Sequence, residues 1–267
     1  MADADPSPAM RSDMLEIDSL PAYKLSRGHL ADHKIVGLNS GDSRSRAFNL
    51  LRTSLMKRLD SPAPRLIGIT SATPAAGKSF ISVNLALSLA KVSDGPVILV
   101  DLDLRRGSIA AELGLTPEHG VGDFLAGDAT LQEIGIRVED LPLAILPTNV
   151  AAHQSAELLS GDRFLNLVRA LREQPPHTVV LVDLPPVFAS DDAMLSVGQL
   201  DGYVLVVDST ETSKAHVQEA LSMLAPAKCI GTVLNRYKGA MFEKYGYGYG
   251  SGAYGKYYEA GDERDSH

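Results

Sequence analysis

Ile67-Gly68-Ile69-Thr70-Ser71-Ala72-Thr73-Pro74-Ala75-Ala76-Gly77-Lys78-Ser79 runs directly into Phe80-Ile81-Ser82-Val83-Asn84-Leu85-Ala86. The pattern predicts a buried strand, a tight loop and a helix, with Gly-Lys-Ser at the helix start. Such a junction cradles phosphates, because the first backbone N–H groups of a helix point at an anion. Thr73, Pro74, Ala75, Ala76, Gly77, Lys78, Ser79 and Phe80 are therefore candidate nucleotide contacts. Lys78 is placed to reach the β- and γ-phosphates, and the Ser79 hydroxyl to ligate Mg²⁺. Ala72 stands where the common pattern has its first Gly. The position between strand and helix is nevertheless the context the motif requires. The stretch predicts a site for a nucleoside triphosphate.

Two more strand ends supply acidic residues. The apolar run 97–100 ends in Asp101-Leu102-Asp103-Leu104-Arg105-Arg106. Hard Mg²⁺ takes oxygen ligands, and a carboxylate there can also accept a hydroxyl proton. The run 179–182 ends in Asp183-Leu184-Pro185-Pro186, where an Asp suits a second Mg²⁺ contact and the prolines stop the strand. A lone Asp at a strand end is more often a helix cap or a solvated turn. Three such features in this order are far more specific, and they make Ser79, Asp101, Asp103 and Asp183 the candidate metal ligands.

Further apolar runs at 66–69, 144–146, 203–207 and 230–234 alternate with helical patterns such as 163–171 and 213–224. Continuous Val/Ile/Leu strands separated by helices predict an α/β P-loop NTPase fold: a doubly wound, mostly parallel sheet with helices on both faces. Ligands of such sheets bind at the carboxyl ends of the strands. An amphipathic helix is expected over 45–59, with Phe48, Leu51, Leu55 and Leu59 as its buried stripe. Residues 1–43 read as a flexible N-terminal arm, in which the run 34–38 can dock, residues 44–238 as the ATPase domain, and 239–267 as a disordered Gly/Tyr-rich tail.

The 267 residues carry a net charge of −8, which argues against nucleic acid as a partner. The sequence offers no stretch of the roughly 20 apolar residues that a membrane span needs, and no signal peptide at its start. Cys229, the single cysteine, reads as a small buried hydrophobe of a cytoplasmic protein. The seven histidines show no metal-ligand spacing.

These residues resemble the bacterial tyrosine kinases of exopolysaccharide synthesis, the cytoplasmic ATPase part of polysaccharide co-polymerases. The resemblance runs from about Arg44 onward. Apolar-Asp-x-Asp-x-Arg is met by Leu99 to Arg105 and Asp-x-Pro-Pro by Asp183 to Pro186, with Asp191-Asp192-Ala193 following. The resemblance implies ATP and Mg²⁺ as cofactors. It gives Lys78, Asp101, Asp103 and Asp183 catalytic roles, places Arg105 at the nucleotide, and puts Asn235 near the adenine. It makes Tyr245, Tyr247, Tyr249, Tyr254, Tyr257 and Tyr258 autophosphorylation acceptors. It also implies a separate membrane co-polymerase subunit as activator, a homo-oligomer as a further assembly, and a place at the inner face of the cell membrane. The chain differs from the family at Ala75, where a Gly is usual, and at Leu184, where a small hydroxyl residue is usual. Of the family's ring-forming Glu-x-x-Arg-x-x-Arg, it matches only Arg52 among Arg46, Asn49 and Arg52. The alternative reading is a P-loop ATPase without kinase activity, either an assembly factor for polysaccharide export or a switch that positions division sites or segregates plasmids.

Overall fold

The computed structural model describes residues 15–39, 41–59, 62–149 and 154–238. Its elements in chain order are β1 (Ala22–Tyr23), α1 (Arg27–Asp32), α2 (Ser45–Met56), β2 (Arg65–Ser71), α3 (Lys78–Ala90), β3 (Val97–Asp101), α4 (Ile109–Leu113), α5 (Val121–Ala126), α6 (Leu131–Ile134), β4 (Ile136–Val138), β5 (Leu143–Leu146), α7 (Ser155–Leu159), α8 (Asp162–Arg172), β6 (Val179–Asp183), α9 (Asp192–Val197), β7 (Gly202–Asp208), α10 (Lys214–Met223) and β8 (Cys229–Asn235). The strands form one sheet in the order β1-β4-β5-β3-β6-β2-β7-β8. All pairings are parallel except β4 with β5.

Alternation along each strand divides the core in two. Leu66, Ile98, Val100, Val180 and Val182 join Phe124 of α5 and Phe164 and Leu167 of α8 on one face. Ile67, Ile69, Leu99 and Leu181 join Phe48 of α2 and Leu85 and Leu89 of α3 on the other. The central strands are apolar at nearly every position because both of their faces are covered. Helix α3 is buried almost all round, packed between the sheet and α2.

Residues 15–39 differ from the expected extended arm. β1 pairs with β4 through Ala22↔Arg137 and Tyr23↔Val138, and Leu15, Leu20, Leu30, Ile35 and Val36 are buried. The run 34–38 does dock: the N–H groups of Val36 and Gly37 donate to Asn84 Oδ1 at 2.7 and 2.9 Å. These apolar residues are too sparse to show a periodicity of their own, and their burial depends on a core built elsewhere. Cys229 is a correction. It is exposed rather than buried, because it opens β8, an edge strand paired on one side only. The described residues up to Asn235 form one compact unit. Among the described residues no helix is long and apolar enough to cross a membrane.

Candidate nucleotide site

Parallel register sets the site. β3 and β6 align Asp101 with Asp183, and β6 and β2 align Asp183 with Ile69. The phosphate loop and both acidic segments thus leave the sheet at one level. Lys78, the first residue of α3, is 8% exposed, and its ammonium lies 2.9 Å from Asp103 Oδ2 and 3.2 Å from Asp183 Oδ2. The Ser79 hydroxyl donates to Asp183 Oδ2 at 2.6 Å, and the Ser82 hydroxyl to Asp183 Oδ1 at 2.9 Å. Burial opposes the charge on Lys78, but the carboxylates of Asp183 and Asp103 outweigh it and hold its pKa above the ordinary lysine value.

Asp101 plays a different local part. It is wholly buried, and it accepts the N–H of Asp103 on Oδ1 and those of Ser108 and Ile109 on Oδ2, at 3.0–3.2 Å. Burial first and the charge of Asp183 second push its pKa up to about 8, against the pull of the Ile109 N–H. The carboxyl group therefore shapes the turn into α4 while facing the other two acids.

The loop itself is held in a shape that most residues resist. Ala75 has φ +60° and Gly77 φ +89°, both in the left-handed region that disfavours a side chain. A Cβ on Gly77 would lie 2.2 Å from Asn235 Nδ2, so Gly77 makes room for Asn235 as well as for the turn. Asn235, at the end of β8, donates from Nδ2 to the carbonyl of Ala76 at 2.9 Å. Ser71 Oγ donates to the carbonyl of Thr73 at 2.8 Å, while Pro74 and Ala75 are exposed. Phe80 meets Phe48 edge-on, with ring centroids 5.8 Å apart.

Arg105 is anchored away from the loop residues. Its Nε donates to Ser155 Oγ at 2.8 Å and to Asp192 Oδ2 at 3.2 Å, and Ser155 Oγ donates to the same oxygen at 2.8 Å. Sequence reasoning missed Ser82, Ser155 and the role of Asp192. Ser82 had a signal, since it lies one turn after Ser79 on the same helix. Ser155 and Asp192 had none, because 37 residues separate them. The candidate acceptors Tyr245, Tyr247, Tyr249, Tyr254, Tyr257 and Tyr258 lie outside the described residues.

The donor set fits a metal-bound polyphosphate. Two buried carboxylates, Asp103 and Asp183, lie against one ammonium, and the repulsion of the buried Asp101 by Asp183 is one that a divalent cation relieves. The loop supplies the left-handed turn into a helix start that a phosphate cradle needs. Oxygen donors alone suit a hard cation such as Mg²⁺.

Fold and loop together define a P-loop, nucleotide-binding α/β protein. No family model matches the chain. The putative tyrosine-protein kinase EpsB of Ralstonia nicotianae is 31% identical over 218 residues, which cover 81% of this chain and 28% of that relative. This chain thus corresponds to little more than a quarter of the length of that protein. Among solved structures, the VpsO kinase domain is 30% identical with a TM-score of 0.65, over 78% of this chain and 99% of that domain. The kinase domain of the Escherichia coli tyrosine kinase Etk gives a TM-score of 0.72 at 27% identity, over 86% of this chain and 94% of that one. The chain belongs to the bacterial tyrosine-kinase family.

Proposed function

We propose that this chain is a protein-tyrosine autokinase that uses ATP and Mg²⁺. The observation that carries this reading is Lys78, buried at the start of α3 and clasped by Asp103 and Asp183 beside the phosphate loop. In the transfer, a tyrosine oxygen forms a bond to the γ-phosphorus, the bond to the β-phosphate oxygen breaks, and ADP leaves. The phenolic proton passes to a carboxylate, for which Asp103 is the candidate: Asp101 is wholly buried with both oxygens on backbone N–H groups, whereas Asp103 keeps 5% exposure, with Oδ1 on the Arg106 N–H and Oδ2 against Lys78. Lys78 would neutralise phosphate charge; Ser79, Asp101 and Asp103 would hold the metal, with Asp183 reaching it through water; Arg105, whose Nε is held by Ser155 and Asp192, is placed at the nucleotide by the resemblance alone. Asn235 steadies the loop at Ala76, and the resemblance gives it a place near the adenine. Bound Mg²⁺ supplies charge neutralisation across the β- and γ-phosphates.

On the family resemblance, the acceptors are the six tail tyrosines, and the reaction regulates exopolysaccharide polymerisation or export. The partner is a membrane co-polymerase subunit that activates the chain and holds it at the inner face of the membrane, with a homo-oligomer of the chain as a further assembly. Intact-mass spectrometry after incubation with Mg²⁺-ATP tests the core of this. Phosphate additions are expected in the full chain, and none in Lys78→Met or in a chain ending at residue 240. Nucleotide turnover without additions, even with the partner's cytoplasmic segment present, would instead favour a P-loop ATPase that drives assembly.

A further inference from the structure

Three loops at the carboxyl ends of the strands meet on one side chain, Arg105. It follows β3, and its Nε donates to Ser155 Oγ at 2.8 Å and to Asp192 Oδ2 at 3.2 Å. Ser155 opens α7 after β5, and Asp192 opens α9 after β6. The Ser155 hydroxyl donates in turn to the same Asp192 oxygen at 2.8 Å, so hydroxyl and guanidinium share one carboxylate. The Asp192 side chain has no exposed surface, whereas 47% of the Arg105 side chain is exposed. A buried carboxylate is costly without a cation, and among the described residues Arg105 is the cation against Asp192. The arginine is therefore anchored through its inner nitrogen and still reaches the surface.

Strand order fixes which side of the site this is. The sheet runs β5-β3-β6-β2 through its centre, with the phosphate loop after β2. From the start of α3, the Lys78 ammonium leans to Asp183 at the end of β6 and to Asp103 just past β3. A lysine in this position reaches the β- and γ-phosphates, so the transferring group belongs on the β6 and β3 side of the loop. In phosphoryl transfer the attacking and leaving oxygens lie roughly in line across phosphorus. With the leaving oxygen held at the loop, the attacking oxygen comes from beyond the acids, where the loops after β3 and β5 stand. Arg105 lies two residues past Asp103 and is fastened to the starts of α7 and α9, not to the phosphate loop.

We propose that Arg105 is the acceptor-side cation of the transfer: its guanidinium takes oxygens of the phosphoryl group as that group reaches the tyrosine oxygen, and Asp192 and Ser155 are positioning residues that act through it. This deepens the kinase reading and rests on it for the reaction, and it departs from the place at the nucleotide that the resemblance gives Arg105. Arg105 exchanges no proton and forms no covalent bond. It supplies N–H donors in a fixed fork, which match phosphate oxygens better than a point charge does. Anchoring the Nε matters because a guanidinium already held in place loses less freedom when the phosphoryl group arrives. The product, a phosphotyrosine with about −1.5 to −2 charges, keeps the same oxygens and is a stable probe of the contact.

The test uses the full chain, dephosphorylated by a phosphatase that is then removed. Fluorescence anisotropy in Mg²⁺-ADP reads binding of a labelled synthetic peptide that copies residues 243–251 and is phosphorylated on Tyr247. A separate titration with a fluorescent ATP analogue and Mg²⁺ reads nucleotide affinity. Arg105→Lys keeps the charge and loses the fork, so it is expected to weaken the phosphopeptide by at least about tenfold and the ATP analogue by no more than about threefold. Asp192→Asn and the milder Ser155→Ala are expected to weaken the phosphopeptide by smaller factors, and to add nothing in an Arg105→Lys chain. A part played in folding alone would give effects that add. Additive effects, an ATP analogue weakened as much as the phosphopeptide, or a wild-type chain that binds the phosphopeptide no better than its unphosphorylated form would overturn the proposal. A wild-type chain that transfers no phosphate, yet binds the phosphopeptide through Arg105, would leave this contact standing and remove only the kinase reading.

Discussion

The two ends of the sheet treat charge in opposite ways. At the carboxyl ends, Lys78, Asp103 and Asp183 are buried, and the Lys78 ammonium lies within 3.2 Å of both carboxylates. At the amino ends, Arg58, Arg65 and Lys228 line a cavity; Arg58 and Lys228 are exposed, and among the described residues the buried Arg65 Nε has no hydrogen-bond partner. The difference separates a prearranged site from an open one. Internal partners at the carboxyl end hold each group near where a phosphate and a cation engage it, so little reorganisation remains to be done when they arrive. The amino end leaves one buried donor, the Arg65 Nε, without a partner among the described residues, while Arg58 and Lys228 face solvent.

The sharpest way to break this comparison is Lys78→Met. The substitution takes the only ammonium from between two carboxylates, and it removes charge stabilisation from the transferring phosphoryl group. Losing one such group costs on the order of 10²–10³-fold in rate. Autophosphorylation measured by intact mass is expected to fall by at least that factor. Activity within a few-fold of wild type would mean that the buried cluster is merely structural.

The next largest effect concerns pH, and it tests whether the carboxyl end is electrostatically loaded. Asp101 is pushed up to about 8 in the folded chain, whereas an unperturbed Asp titrates near about 3.9. Between those values the folded state keeps a proton that the unfolded state releases. This contribution to stability is therefore complete below about pH 4, and is lost as pH rises through about 8. Thermal melts of the nucleotide-free chain are expected to drop by roughly 5 °C between pH 6 and 9, at about 2–4 °C per kcal/mol for a chain of this size. Mg²⁺ with ADP is expected to flatten the slope, because a cation beside Asp101 favours its ionised form. A melting temperature that climbs over this range would contradict the assignment.

The carboxyl end was also the legible end. Loop, strand and helix follow one another in sequence, and the acids sit at the ends of apolar runs, so local pattern alone located Lys78, Ser79, Asp101, Asp103 and Asp183. The amino-end cavity was invisible because Arg58, Arg65 and Lys228 come from separate stretches and meet only through the strand order. The same reason hid Ser155 beside Asp192. The short helices α4 to α7 and the two-residue β1 escaped because each is shorter than the window over which periodicity can be read. Cys229 was misread because an apolar neighbourhood in sequence does not tell a central strand from an edge strand.

A smaller effect sharpens the picture of the phosphate loop. Ala75 at φ +60° carries the left-handed penalty of about 1–2 kcal/mol for a residue with a Cβ. Glycine there loses about 0.5–1 kcal/mol through its freer unfolded state. Ala75→Gly is therefore expected to raise stability by up to about 1 kcal/mol, read as a shift of about 2–4 °C in a thermal melt. A fall in stability would show that surrounding contacts, and not backbone preference, hold the loop in this shape.

The smallest effect is expected at the opposite end, and the contrast depends on its being small. Arg65→Met keeps most of the side chain's apolar stem against Leu59 and removes a buried donor that has no partner. Deleting such a donor returns the cost of its lost hydration, and what is lost in packing is limited to the end of a half-exposed side chain. A change within about 0.5 kcal/mol in either direction, from urea unfolding at neutral pH, fits a cation that the folded chain leaves unpaired. A loss of about 2 kcal/mol or more would mean that Arg65 has an internal partner after all. The two ends of the sheet would then differ only in the sign of their charge, and no longer in whether the chain satisfies it.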